Sequence, residues 1–296
     1  MGLFIQLLFN TLEIGSVYVL FSLGLTLIFG TMKVINFAHG QFFATTALLI
    51  SSSVPMLTGP LGWPVWAAYI ASFLASIVLI GVLSVGLYLT SFYRFTRDLL
   101  GSFTLSLGIL FIGQGILLAL FGGAPRSTPR LVSGDITVLG GVVNSQRLLI
   151  FIVAVAVTIG LNMLVQRSRI GNALRAVADD YEAAMLQGIR YRRISCYGFA
   201  LGSVLAAVAG GLIAPLVSAA PAISDDYLVK AFIIVIVGGL GSIPGAILAS
   251  FLIAAIESFG GYYFDLTSAA IVSNILVILF LLVRPRGFMG QAVKVV

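Results

Sequence analysis

The chain has 296 residues, of which 60% are hydrophobic and 9% charged, and its mean hydropathy is +1.14. A soluble domain carries about 25% charged residues, so the composition excludes an ordinary soluble enzyme and points to an all-α, polytopic membrane protein. The net charge of +6 is not a nucleic-acid signature, because Lys and Arg gather in the cytoplasmic loops of membrane proteins. One cysteine, Cys196, and one histidine, His39, leave no intramolecular disulfide, no metal cluster and no Cys/His nucleophile pair. No phosphate-binding loop of the form G-x-x-x-x-G-K-[ST] is present. The chain is therefore read as a non-enzyme without a cofactor of its own. If ATP drives its work, partner subunits bind that ATP.

The first cation is Lys33, so a cleaved signal peptide is not expected and the first apolar segment stays as a membrane helix. Leu3–Phe29 is long enough to span, but it contains Glu13, which does not sit comfortably against lipid. Val34–Val54 follows and opens with Ile35-Asn36-Phe37-Ala38-His39-Gly40-Gln41, an unusually polar start for a span. Ser51–Pro64 is a turn rich in Ser, Gly and Pro, with Trp63 and Trp66 as interfacial anchors. Val65–Leu89 spans and is followed by Arg94 and Arg97. Leu99–Phe121 spans, and Gly122–Arg147 is a polar connection whose alternating Ile136 and Val138 suggest a small hairpin. Leu148–Val165 spans.

Gln166–Arg193 is the one long polar island, with six arginines and three acids. A single amphipathic helix is predicted inside it, capped by Asn172 and ended by Gly188. Leu174, Val177, Ala178, Tyr181, Met185 and Ile189 share one face of it, and Arg175, Asp179, Glu182 and Gln187 lie elsewhere. At about 22 Å it is too short to span, and it is too charged. Its apolar stripe needs a partner protein or the lipid surface to cover it.

Ser195–Leu216 spans, with Gly198, Gly202, Ala206 and Gly210 forming a ladder that admits a close neighbouring helix. Tyr227–Ser258 is too long for one ordinary helix and is broken by Gly238-Gly239-Leu240-Gly241-Ser242-Ile243-Pro244-Gly245 into two pieces of a dozen or so residues. Such breaks persist only where protein or a cavity satisfies the freed backbone. Ala269–Val283 is the last span, ended by Arg284-Pro285-Arg286. The whole is one transmembrane domain over residues 1–296, with about eight membrane segments and a cytoplasmic loop over 166–194. The island, the Arg94/Arg97 loop and the Arg284/Arg286 tail belong on the cytoplasmic side if Tyr227–Ser258 enters and returns, which puts the N-terminus outside.

The interruption from Phe29 to Gln41 and the one from Gly238 to Gly245 form an internal echo by pattern. Paired interruptions in two halves of a membrane protein point to a transport site at mid-membrane. Asn36, His39, Gln41, Gly239, Gly241 and Ser242 are therefore candidates for a translocation path, or for partners of the loose backbone at the breaks. The acids Glu13 and Glu257 are candidates for the same path, for a proton or ion site, or for structural pairs with cations such as Lys33 and Lys230.

Three stretches then point to a family. They are Val34-Ile35-Asn36-Phe37-Ala38-His39-Gly40, Arg169-Ile170-Gly171-Asn172-Ala173-Leu174-Arg175-Ala176-Val177-Ala178-Asp179-Asp180, and Gly238 through Ala246. In that order they resemble the permease subunits of branched-chain amino acid ABC importers, and the LivH type most closely, nearly end to end. The resemblance implies a LivM-type second permease, two ABC ATPase subunits and a periplasmic substrate-binding protein, in the inner membrane of a bacterium, with leucine, isoleucine or valine as cargo. Urea or short-chain amide importers are similar too. An ion-coupled secondary transporter using Glu13 or Glu257 is the rival of another class. ABC importer permeases dock on their ATPases through an E-A-A-x-x-x-G coupling helix. Here Glu182-Ala183-Ala184-Met185-Leu186-Gln187-Gly188 matches it, without the Leu-Pro that follows in that motif. The resemblance thus implies that Leu174, Arg175, Val177, Tyr181, Glu182, Ala183, Ala184, Met185 and Gly188 form the ATPase-coupling surface.

Overall fold

The computed structural model describes residues 2–138, 141–285 and 287–289; Arg286 of the basic tail lies outside the described residues. The helices are α1 (Gly2–Met32), α2 (His39–Thr58), α3 (Val65–Thr90), α4 (Leu99–Phe121), α5 (Ser145–Arg167), α6 (Arg169–Asp179), α7 (Tyr181–Leu186), α8 (Tyr191–Ile213), α9 (Ser224–Gly238), α10 (Ile243–Tyr263) and α11 (Leu266–Val283). Seven of them, α1 to α5, α8 and α10, are long and apolar enough to cross a membrane, and α11 adds a shorter apolar stretch over Ala270–Val283. The expected hairpin is present: β1 (Asp135–Val138) pairs antiparallel with β2 (Gly141–Asn144), and the Asn144 side chain caps α5.

The peripheral helices are apolar outside and small or hydroxylic inside. α3 buries Ala68, Tyr69, Ser72, Ser76, Ile80, Ser84 and Tyr88, close to every fourth residue, while Leu74, Val78 and Val82 stay exposed. Lipid is as apolar as leucine, so burial is not rewarded there, and close packing with hydroxyl bonds decides the inner face. The centre is α1, buried along most of its length and crossed by α8. The glycine ladder expected on α8 makes that crossing. A Cβ at Gly202 would lie 2.6 Å from the Gly24 carbonyl oxygen, and a Cβ at Gly24 would lie 2.5 Å from the Gly202 oxygen. Gly198 sits against Thr31, and Gly210 against the backbone of Phe43.

The molecule has two ends. At one, the tip between α9 and α10 meets the end of α1, with Gly241 against Gly30, and the chain after α11 bonds the end of α9 through Phe288 N–H to the Val237 oxygen at 2.7 Å. Arg97 and the island lie at this basic end too. At the other end are the β-hairpin, the start of α1 and the end of α10, joined by the Ser258 hydroxyl donating to the Leu7 oxygen. The segment after Tyr227 therefore reaches the basic end and returns, and Arg94, Arg97, the island and Arg284 share one side, as the cation pattern predicts. The second arm is longer than expected: α10 runs 21 residues, a full span rather than a dozen.

The internal echo is real in form but pairs different places. α1 runs to the basic end, residues 33–38 fold back inward, and α2 runs out to the hairpin end. α8 runs the opposite way, residues 214–223 fold back inward from the hairpin end, and α9 runs to the basic end. The break at 33–38 thus corresponds to 214–223. The Gly238–Gly245 tip takes the place of the α2–α3 turn, Gly59–Pro64, and each turn ends on a proline at the start of the next helix, Pro64 and Pro244. Gly62 and Gly241 both take left-handed φ, +64° and +85°. α1–α4 and α8–α11 thus run in opposite directions through the same order of long helix, inward fold, outgoing arm and tip.

Candidate functional site

The two inward folds meet near mid-depth. His39 begins α2 but touches Phe21, eleven residues before the end of α1 and so about 16 Å from the basic end. Its ring stacks on Phe21 at 4.8 Å and its Nε2 lies 3.1 Å from the Phe21 oxygen. A carbonyl only accepts, so Nε2 carries the proton and Nδ1 is left as an acceptor with no partner. Next to it, Gly40 abuts Ser224, the first residue of α9; a Cβ on Gly40 would stand 3.0 Å from the Ser224 Oγ. Two helix N-termini, each with partial positive charge, therefore converge here, with the Gln41 and Asp225 N–H groups already bonded to the Ala38 and Ala222 oxygens. Asn36, Gln41 and Ser224 are all at least nine-tenths buried and their side-chain polar atoms have no partner. Such groups cost free energy unless something satisfies them in use. Asp225 and Asp226 are exposed in the first turn of α9, a costly place for carboxylates unless water or another subunit covers that face.

The candidate path residues thus divide. Asn36, His39 and Gln41 belong to the mid-depth junction. Gly239, Gly241 and Ser242 lie at the basic end, where the Ser242 Oγ accepts from Gly245 N–H at 3.2 Å as the cap of α10. A cavity of ≈ 430 Å³ lies beside the 33–38 fold, walled by Leu25, Phe29, Phe103, Phe232 and Leu240, with Asn36 the one polar residue of its lining. Phe37 stacks on Phe232 at 4.6 Å at its edge. Ser224, Asp225, Asp226 and Phe37 were not singled out from the sequence, because only the inward fold of 214–223 brings Ser224 against Gly40.

Both intramembrane acids have cationic partners. Glu13 is 3.3 Å from Arg147, which also bonds Asn10, at the hairpin end. Glu257 is 3.0 Å from Lys230, and the Tyr18 hydroxyl donates to Glu257 at 2.6 Å. Removing one member of a buried pair strands the other. Lys230→Met is expected to lower the thermal stability of the purified protein by about 2 kcal/mol, less than a fully buried pair because Lys230 is partly exposed. Adding Glu257→Leu should restore most of the loss, and a double variant no better than the single one would refute the pairing.

At the basic end the island forms two helices, not one. Ser168, not Asn172, caps α6, with Gly171 N–H 2.9 Å from its Oγ, while Asn172 accepts from Arg175 at 2.8 Å. Asp180 is extended and takes the Glu182 and Ala183 N–H groups on its carboxylate, at 3.0 and 3.1 Å, which stops α6 and starts α7. Gly188 does end the element: at φ +83° it closes a Schellman turn, with Ile189 N–H bonded to the Ala184 oxygen and Gly188 N–H to the Met185 oxygen. The apolar stripe is split by this geometry. Leu174, Val177 and Ala184 are buried inside the chain, whereas Met185 is exposed and Leu186, at 88%, is the most exposed large apolar side chain among the described residues. Tyr181 is half-buried, and Arg175, Glu182, Ala183 and Gly188 face solvent or lie half-open at the same end.

Residues 7–283 match the family model described as the permease component of branched-chain amino acid transport systems. The chain belongs to this family. It is 31% identical to the high-affinity branched-chain amino acid transport system permease protein BraD of Pseudomonas aeruginosa, covering 97% of this chain and 96% of the relative. It is 30% identical to LivH of Escherichia coli K12, with the same coverage. A probable LivH of Methanocaldococcus jannaschii is 28% identical over 93% of this chain and 89% of its own. No solved structure matches. A transport permease in a membrane accounts for the apolar exteriors of α3 and α4.

Proposed function

We propose that the chain is a permease subunit of an ATP-driven importer of leucine, isoleucine and valine in a bacterial inner membrane. The observation that carries this reading is the end-to-end likeness to BraD and LivH, whose names state a branched-chain amino acid transport permease. The cavity agrees with it, because its apolar walls suit an aliphatic side chain. A LivM-type permease would cover the face that exposes Asp225 and Asp226, a periplasmic binding protein would deliver cargo at the hairpin end, and ABC ATPase subunits would dock at the basic, cytoplasmic end through α7. The ion-coupled alternative invoked Glu13 or Glu257, and both are paired with cations.

The test is uptake of labelled leucine and labelled urea by cells with and without the gene, the neighbouring transport genes being intact. Loss of leucine uptake alone is expected. Loss of urea uptake alone would overturn the cargo, and leucine uptake that survives removal of the ATPase would overturn the energy source. Within the site, Asn36→Leu is expected to slow leucine uptake about tenfold at unchanged protein level; unchanged uptake would return Asn36 to a structural role.

A further inference from the structure

We propose that Arg97 is a positioning residue that ties α7 to the mouth of the inward fold 33–38, so that movement of the docking segment is felt where α1 ends. This rests on the coupling role given to α7 above. Two non-glycine residues among those described have left-handed φ, Lys33 at +54° and Arg97 at +67°. They come from segments far apart in sequence, yet they sit at one junction. Each conformation is strained for a residue with a Cβ and persists only where its surroundings over-determine it.

The contacts show what holds them. The Arg97 N–H donates to the Met32 oxygen at 3.0 Å. Met32 is the last residue of α1, so its carbonyl has no helical partner and is satisfied from outside. The Arg97 guanidinium lies over the Tyr181 ring, 3.2 Å from its centroid. Tyr181 is the first residue of α7 and also packs on Tyr191, the first residue of α8. Arg97 makes no ion pair with a carboxylate among the described residues, so the aromatic face is the partner of its charge.

The turn that carries Arg97 is itself clamped. Asp98 caps α4 through Gly101 N–H at 2.9 Å, Arg192 lies over Tyr93 at 4.1 Å, and the Tyr88 hydroxyl donates to the Arg192 oxygen at 3.0 Å. One residue thus has its side chain on the docking segment and its backbone on the end of α1. The next residue along from Met32 is Lys33, the left-handed corner from which the chain turns in toward Asn36 and His39. A push on α7 reaches that corner through Arg97. The flat guanidinium matters, because lysine cannot stack on Tyr181 in the same way.

The experiment uses the whole transporter with its ATPase and binding protein in proteoliposomes. Leucine moved per ATP hydrolysed is measured for wild type, Arg97→Lys, Tyr181→Leu and the pair. In parallel, thiol labelling of Ile35→Cys in a Cys196→Ala background is followed with and without ATP, which needs no knowledge of cargo. Arg97→Lys and Tyr181→Leu are each expected to lower the transport-to-hydrolysis ratio about tenfold and to abolish the ATP-dependent change in labelling, with the ATPase still copurifying and the double variant no worse than either single. Uptake and hydrolysis falling together at a constant ratio, additive single effects, or an ATP-dependent labelling change that survives Arg97→Lys would overturn the proposal. Absence of leucine uptake by the wild type, with its labelling still responsive to ATP and that response lost in Arg97→Lys, would overturn the cargo and uphold the linkage.

Discussion

Replacing Gly202 by Val is expected to remove most of the folded protein from the membrane. The Gly202 and Gly24 backbones touch reciprocally where α1 and α8 cross, and a new Cβ at Gly202 also meets Ile28 at 2.7 Å. Two of the three neighbours are backbone or the stem of a buried residue in the most enclosed helix, so nothing nearby can swing aside. Overpacking a core costs about 1–3 kcal/mol where side chains can shift. Here the helices themselves must part, so a loss at or above the top of that range is expected. Gly24→Ala should be damaging for a second reason, because its Cβ would stand 2.7 Å from the His39 ring and disturb the junction directly. Gly160→Val on α5 is the control: no atom lies within 4 Å of its Cβ position. Membrane levels and thermal unfolding in detergent decide the matter. Equal levels for Gly202→Val and Gly160→Val would show that the crossing is not where the fold is held.

The double change Met185→Glu and Leu186→Glu is expected to leave the permease inserted and stable but to strip it of its ATPase. Both side chains are exposed, so the fold loses no contact. An apolar side chain of this size is worth about 1.5–3 kcal/mol when buried. Losing two at a docked interface should weaken association by about two orders of magnitude or more. Leu174→Glu should behave oppositely. Leu174 is buried, and its Cδ2 packs 3.3 Å from the Cβ position of Gly198. That change should cost the permease its own stability, and any loss of ATPase would follow from loss of protein. Copurification and substrate-stimulated hydrolysis measure the first effect, and membrane level the second. ATPase that copurifies normally with the double variant would refute docking through α7.

These two predictions separate what was legible in the sequence from what was not. The spans, the breaks at 33–38 and 239–242, the hairpin before α5, the glycine face of α8 and the stop at Gly188 could all be read along the chain. Each depends on a local cause: twenty-odd apolar residues, a residue that tolerates positive φ, a short alternation, or a missing side chain. The cation pattern likewise placed Arg94, Arg97, the island and Arg284 at one end. The split of the island at Asp180 was local too, and the Asp179-Asp180 pair before Glu182 was a visible signal for a second cap.

Tertiary structure alone decided the rest. Leu174 and Met185 stand on one helical stripe in sequence, but a bend between them turned one inward and the other out. Ser224 drew no notice in the sequence, and the inward fold of 214–223 set it against Gly40. Arg97 read as one more loop cation until its neighbours proved to be Met32 and Tyr181. In each case the deciding fact is a meeting between segments far apart in the chain. Hydropathy and residue spacing carry no record of such meetings, because in a lipid-surrounded bundle the partner of a helix face is chosen by shape and hydrogen bonding rather than by apolarity.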